Sequence, residues 1–446
     1  VKQYTYYLRI GLTSLALALA LGLALWIGPR AASLTLVAQT PNGEAVAGGA
    51  PIRVSFARPV DRRSAESNFR IEPYVPGRFF WQDTTLTYEP TQPLAAETVY
   101  RVSILPGLRD EQGRLNATEL AWEFRTRGPR LLAVRAGAGG GSELWLARPD
   151  GAETTQLLTT TEAISDVIVA PDGTQAIIVE ARGLERSALV LVSLEDGSTR
   201  LLVDDVQASV AAPAWAPVGD FIAFERRGLL EGSLGVPRIW LGQPDGTLLG
   251  PLYGGDGSEI AYAPSWSPDG NRVAFIDGLT QALTVYDFFT DVARPLGVAS
   301  AERAVWLPDG AGLIVSAIDP ERPERAPGLT SIPYPEGAVV ALTDRSQADL
   351  SPAVSPDGNR IVFVRRAPDG PASAIWVVSA DGGAAEAVSA GTAQDTQPLW
   401  SPDGTQIAFL RSSLAGELQS DLVVVDLATG AETVALADVV QAVWAP

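Results

Sequence analysis

The segment Pro264-Ser-Trp-Ser-Pro-Asp-Gly-Asn-Arg-Val-Ala-Phe275 decides the fold because it recurs. Pro398-Leu-Trp-Ser-Pro-Asp-Gly-Thr-Gln-Ile-Ala-Phe409 repeats it closely. Looser copies contain Ala170-Pro-Asp-Gly173, Ala216-Pro-Val-Gly219, Leu307-Pro-Asp-Gly310 and Ser355-Pro-Asp-Gly358, and Trp444-Ala-Pro446 begins a seventh. Successive prolines stand 46, 51, 40, 48, 46 and 44 residues apart. A repeat of this length, made of short strands around turns, is the signature of a β-propeller.

Each copy alternates. Two residues before the proline stands Val169, Trp215, Trp266, Trp306, Val354, Trp400 or Trp444. After it come apolar pairs two residues apart, such as Ile222/Phe224, Val273/Phe275, Ile361/Phe363 and Ile407/Phe409. Residues two apart share a strand face, so each copy reads as a hairpin about a Pro-Asp-Gly turn. Proline presets the second turn position, and glycine supplies the positive φ. A third strand follows in most copies (Leu189–Val192, Ile239–Leu241, Leu283–Tyr286, Ile375–Val378 and Leu422–Val425). A second turn and a short outer strand complete the unit.

The two ends fit together. Leu131–Arg135 reads as a second strand lacking a first, and Val440–Pro446 as a first strand lacking a second. Joined, they complete a blade and remove open sheet edges. The expectation is therefore an all-β chain with a seven-bladed propeller over 130–446. Six blades is the alternative, because Asp319-Pro-Glu-Arg-Pro-Glu-Arg-Ala-Pro327 interrupts the fourth copy. These motifs resemble the WD40-like repeat of TolB-type propellers. The resemblance implies the fold more than the function, since such propellers serve many roles.

Residues 34–127 carry no such repeat. They hold short alternating strands (Leu34–Val37, Ile52–Phe56, Phe69–Ile71, Thr85–Tyr88, Tyr100–Ile104 and Trp122–Phe124), a pattern that suggests a β-sandwich over 33–127. Val54-Ser-Phe-Ala-Arg-Pro-Val-Asp61, Leu86-Thr-Tyr-Glu-Pro90 and Trp122-Glu-Phe-Arg-Thr126 resemble the bacterial Ig-like domain of S-layer-type surface proteins. That resemblance implies a spacer or adhesion module without catalytic residues. Tyr100 is placed to bond nearby backbone as a tyrosine corner. Asn116-Ala-Thr118 matches a glycosylation triplet.

Ile10 to Pro29 are uncharged and rich in Leu and Ala, long enough to cross a hydrocarbon core of ~30 Å. They predict a retained transmembrane anchor at 10–29, with 1–9 cytoplasmic and the bulk of the chain extracytoplasmic. The competing reading is a cleavable signal peptide.

Composition narrows the chemistry. The 446 residues include no Cys, His or Met. This removes disulfides, thiolate metal sites, His-ligated zinc and the usual serine and cysteine triads. The net charge of −19 opposes nucleic-acid binding.

Carboxylates remain. The turn acids Asp172, Asp269, Asp309, Asp357 and Asp403 recur with the fold and should bond turn amides. A second set, Asp166, Glu259, Glu302, Asp349, Asp395 and Asp438, precedes or begins the inner strands. These acids would gather near one channel mouth. Asp349, Asp395, Asp166 and Glu302 are the candidate mouth residues for a cation such as Ca2+ or for a basic peptide. Trp215, Trp266, Trp306, Trp400 and Trp444 are read as structural, and no catalytic residue or cofactor is assigned. The function expected is a membrane-anchored extracytoplasmic scaffold binding a protein or peptide, an accessory subunit of a cell-envelope complex. The alternative is a carboxylate-based propeller lyase or glycan hydrolase.

Overall fold

The computed structural model describes residues 35–446 except 92–93, 219, 231–232, 254–258, 301, 323, 368–369 and 415–419. The chain divides into two compact units, with the boundary between Arg127 and Gly128.

The first unit contains two four-stranded sheets. One is ordered Leu36–Thr40, Ile52–Phe56, Thr85–Pro90, Gly77–Gln82; the other Gly43–Val46, Leu120–Thr126, Val99–Ile104, Phe69–Glu72. Alternation along the strands sends Ile52, Val54, Phe56, Leu86 and Tyr88 from one sheet into a core shared with Tyr100, Val102, Ile104, Trp122 and Phe124 of the other. The Tyr100 hydroxyl accepts the Ala95 N–H at 2.8 Å, a tyrosine-corner bond. Gly43–Val46 and Gly77–Gln82 are additions to the expected strands. A helix at Arg62–Asn68 is another, and Asp61 caps it by accepting the Ser64 N–H at 2.7 Å. Asn116 is only 3 % exposed, and its amide donates to the Thr118 carbonyl at 2.9 Å. The glycosylation triplet is thus tied into the fold.

In the second unit, antiparallel four-stranded meanders follow one another. The first runs Ile164–Val169, Gln175–Ala181, Ser187–Ser193, Thr199–Val203, and the next Ala208–Trp215, Ile222–Leu230, Arg238–Gly242, Leu248–Pro251. Ala261–Trp266 opens a third. Val305–Trp306, Asp349–Val354 and Gln394–Trp400 open those that follow. The irregular fourth copy keeps the plan. Gly312–Ile318 pairs with Gly328–Pro333, so the proline-rich stretch is the loop between them.

The strand Glu432–Ala445 serves two meanders. Its first half pairs with Ser420–Asp426, and its second half with Arg130–Ala136, placing Trp444 opposite Leu131. Arg130–Ala136 then pairs with Ser142–Ala147, and that with Thr154–Thr160. The two ends of the unit are zipped together as their sequences imply.

Neighbouring meanders share cores. Phe224, Phe275, Phe363 and Phe409, at one position of the repeat, are all fully buried. Indole N–H groups also cross between meanders: Trp266 to the Ala214 carbonyl at 3.0 Å, Trp306 to Ser265 at 3.2 Å, Trp400 to Ala353 at 3.0 Å and Trp444 to Leu399 at 3.3 Å. Trp215 packs against the cluster containing Ile177, Leu202 and Phe224.

The transmembrane segment expected at 10–29 lies outside the described residues. Among the described residues no helix is long and apolar enough to cross a membrane. The α-helix at Arg62–Asn68 has 7 residues, where a span needs ~20. The single-pass membrane localisation is therefore corrected: the described structure gives it no support.

Candidate functional site

The innermost strands share a local irregularity. Their pairing with the second strand slips between Ile164 and Asp166, Ala211 and Ala214, Tyr262 and Ser265, Leu350 and Ala353, and Thr396 and Leu399. Bulges of this kind bend a strand and re-aim a side chain. At four of them a non-glycine residue has positive φ: Ala212 (47°), Ala263 (56°), Ser351 (51°) and Gln397 (51°). Each stands five residues before its turn proline. The same offset in the remaining copies falls on Asp166, Arg303 and Gln441. One equivalent place on or just ahead of each inner strand is thereby defined, Arg303 standing two residues before Val305–Trp306.

The acids singled out in the sequence are distributed around this frame, and the carboxylates of Asp349, Asp395, Asp166, Glu302 and Asp438 each have a protein partner. Asp349 is completely buried and accepts from Arg365, Nε to Oδ1 at 2.7 Å and Nη2 to Oδ2 at 2.9 Å. Asp395, 1 % exposed, is held by Arg411 in the same bidentate manner at 2.9 and 3.1 Å. The two pairs occupy matching places in successive meanders, the acid on the first strand and the arginine at the end of the second. Arg365 lies over the Trp376 ring at 4.8 Å, and Arg411 over Phe409 at 5.0 Å. Arg411 also donates to Glu432 at 2.6 Å. The hydrogen bonds donated to Asp349, and to Asp395 then Glu432, raise the pKa of Arg365 and Arg411 respectively. These carboxylates hold strands in register.

Asp166 Oδ1 accepts from Gln441 Nε2 at 2.8 Å and from the Val167 N–H at 2.8 Å. Glu302 Oε2 accepts the Ser351 N–H at 2.5 Å, and Asp438 pairs with Arg135 at 3.1 Å. The Glu259 carbonyl accepts from Arg238 Nε at 3.3 Å. Among the described residues no group of three or more acids could hold a metal ion.

The turn acids behave as the motif requires. Asp172, Asp269, Asp309, Asp357 and Asp403 each accept the N–H two residues on, at 2.9 to 3.1 Å. In the Ser-Pro-Asp-Gly copies, Ser267, Ser355 and Ser401 hydroxyls donate to the same carboxylates.

Two features escaped the sequence reading. The first is Arg303, whose neighbours in charge are Asp166 and Glu225, from other inner and second strands. Desolvation lowers its pKa below the ordinary arginine value, and those two acids oppose that shift. The signal was available, since Arg303 is the basic residue at an offset otherwise filled by Asp, Ala, Ser and Gln. The second is an aromatic cluster at one end of two adjacent meanders. Trp266 stacks on Phe288 at 5.7 Å and on Phe221 at 6.5 Å, and Phe289 beside them is 78 % exposed. Phe221 follows the turn between a first and second strand, and Phe288 and Phe289 lie in the turn after a third. In a meander both turns lie at the same end.

Comparison with known proteins agrees with these two architectures. Residues 30–126 match the family model described as a bacterial Ig-like domain. No curated protein matches the chain. Among solved structures, TolB from Acinetobacter baumannii is similar at 14 % identity and a TM-score of 0.47, over 93 % of this chain and 99 % of that one. A puromycin hydrolase S511A mutant complexed with PGG is similar at 17 % identity and a TM-score of 0.53, over 70 % of this chain and 52 % of that one. A puromycin-hydrolyzing peptidase from Mycobacterium tuberculosis gives 14 % identity and a TM-score of 0.51, over 71 % and 54 %. This chain thus spans about half of each peptidase. Identities this low speak to fold alone. The chain therefore carries a bacterial Ig-like domain, matched over residues 30–126, ahead of a unit whose fold is similar to that of propeller proteins.

Proposed function

We propose that this chain is an extracytoplasmic protein-binding module of the cell envelope, acting as a scaffold or accessory subunit and not as an enzyme. In this reading the meanders are the seven blades of a closed propeller, and the Ig-like domain is a spacer or adhesion element. The observation that carries it is the exposed aromatic cluster of Phe221, Phe288 and Phe289 around Trp266. Exposed aromatics on a rigid scaffold are what protein interfaces use as anchors, and a soluble surface otherwise tends to avoid them. The engagement of the candidate acids supports the same reading. A carboxylate-based lyase or hydrolase needs an acid free to exchange protons. Asp349, Asp395, Asp166 and Glu302 are instead bonded to Arg365, Arg411, Gln441 and the Ser351 amide.

The test is affinity purification of the full chain from envelope extracts of its host, comparing the wild type with Phe221→Ser/Phe289→Ser. A defined stoichiometric partner recovered with the wild type and lost with the variant is the expected result. Recovery of the same lone chain in both cases would overturn the reading.

A further inference from the structure

The turn after Ala282–Asp287 holds its aromatic side chains at the surface on a fixed backbone. Asp287 Oδ1 accepts the Phe289 and Thr290 N–H groups at 2.9 and 3.2 Å, and the Asp291 N–H donates to the Asp287 carbonyl at 2.9 Å. The Phe288 ring lies 13° from the plane of Trp266, and Trp266 lies 26° from Phe221. Tyr286 meets Phe288 edge-on at 5.1 Å. Three rings are thus stacked in a row, and Phe221, Phe288 and Phe289 stay exposed. Side chains held this firmly lose little further freedom on binding.

The surroundings of these rings are acidic. Asp220, next to Phe221, is exposed, as is Asp291, which accepts the Tyr286 hydroxyl at 2.5 Å. The arginines of this meander are already matched, Arg272 to Asp269 and Asp287 and Arg294 to Glu336. The Pro-Asp-Gly turns extend the negative charge. A Cβ built on Gly270 would stand 2.9 Å from the Val218 carbonyl oxygen, and one on Gly310, Gly358 or Gly404 would stand 3.9, 3.4 or 3.5 Å from Pro268, Pro308 or Pro356. Successive turns therefore touch, and Asp269, Asp309, Asp357 and Asp403 form one arc leading from the aromatic rings. Arg360 lies on that arc, donating to the Gly404 carbonyl at 3.2 Å, and leaves the excess negative. The same bias marks the whole unit: residues 35–127 hold 11 acidic and 11 basic residues, whereas 128–446 hold 41 and 19.

We propose that the cluster of Phe221, Trp266, Phe288 and Phe289 docks a basic segment of a partner protein, one in which Lys or Arg flank an apolar residue. This rests on the protein-binding reading above and names the chemistry of the partner. The apolar residue covers Phe221 and Phe289, whose rings are otherwise in water. The flanking cations face Asp220 and Asp291 and lie over the ring faces. An acidic segment would bring like charge to the same rim and be rejected. Rim charges act through solvent, so the attraction weakens as salt rises.

Fluorescence anisotropy of the full chain tests this with three labelled peptides: Gly-Lys-Leu-Lys-Leu-Lys-Gly, and the same peptide with Gln or with Glu in place of every Lys. The Lys peptide should bind the wild type about tenfold or more tighter than the Gln peptide, with the Glu peptide weakest. Phe289→Ser should weaken the Lys peptide about tenfold, and Asp220→Asn/Asp291→Asn about fivefold. Glu162→Gln/Glu185→Gln removes as many charges from exposed loops at the other end of the meanders and should change affinity by less than about twofold. The proposal is overturned if the Lys peptide does not bind, if the Gln peptide binds equally, or if the two double variants lose the same amount, which is the mark of bulk charge alone. Unfolding midpoints check that each variant folds. Should Asp220→Asn/Asp291→Asn not fold, Phe289→Ser decides, because that side chain is exposed: undiminished Lys-peptide binding overturns the proposal. A partner captured through Phe289 that the Lys peptide does not displace would also overturn it, and would leave the broader function standing.

Discussion

The indole of Trp444 donates to the Leu399 carbonyl at 3.3 Å, joining two inner strands of which one is the last in the chain. Trp444 is 7 % exposed and packs with Leu131 and Ala133 from the start of the unit. Trp444→Ala should cost about 3–5 kcal/mol through lost burial and the cavity left behind. Trp444→Phe keeps most of the ring and should cost less, about 1–3 kcal/mol, chiefly from the unsatisfied carbonyl. Urea denaturation followed by tryptophan fluorescence gives both values, and equal costs would show that the hydrogen bond, which both variants lose, accounts for the whole effect and the buried ring for none of it.

Removing one partner of the Asp349–Arg365 pair leaves a charge in a dry site. Arg365→Met should therefore destabilise by about 3–5 kcal/mol, whereas Asp349→Leu/Arg365→Met together should cost far less. A double-mutant cycle by chemical denaturation measures the difference. Additive losses would contradict the pairing seen here.

Gly197 has φ +70°, and a Cβ there would sit 2.3 Å from the Leu157 carbonyl of the adjacent meander. Both the backbone and the close approach require glycine. Gly197→Ala should lower stability by about 1–3 kcal/mol, whereas alanine at Gly139, also at positive φ but with open space around it, should cost about 1 kcal/mol. Thermal unfolding of the two variants separates clash from conformation.

Burial, then the charges of Asp277 and Glu259, pushes the Tyr253 phenol up to about 12. Burial, then the bond to Asp291, does the same for Tyr286, also to about 12. In the unfolded chain both ionise near 10.0. Folding favours the neutral phenols. Their contribution is complete below pH 10 and disappears as the pH rises through 12. Stability should fall across that window, and Tyr253→Phe should flatten the fall. Phenolate absorbance with parallel denaturation curves checks it; an unaltered slope in the variant would assign the loss to other groups.

The architecture was legible because each repeat writes the same physics. Turn proline and glycine, the preceding tryptophan and the following apolar pair fixed the hairpins of the second unit and the pairing of 439–445 with 130–135. The strand Gly77–Gln82 was missed because Phe79, Phe80 and Trp81 form an apolar run, with Phe80 at 41 % exposure, and not a clean alternation. The helix at Arg62–Asn68 is too short for its apolar period to register, although Asp61 and Ser64 supply its start signal. The acids were found as residues but not as partners. Asp349 and Arg365 are 16 apart in sequence, a spacing that acquires meaning only when the second strand folds back on the first.

The pairing of Trp444 with Leu131 has a consequence for biosynthesis. A ribosome delivers Arg130–Ala136 long before their partner exists, so one side of that sheet must wait, unpaired, while the intervening meanders are made. The sheet is therefore completed only after residues 439–445 have emerged, and a nascent chain stalled before residue 439 would present a bare strand to chaperones or to its own copies.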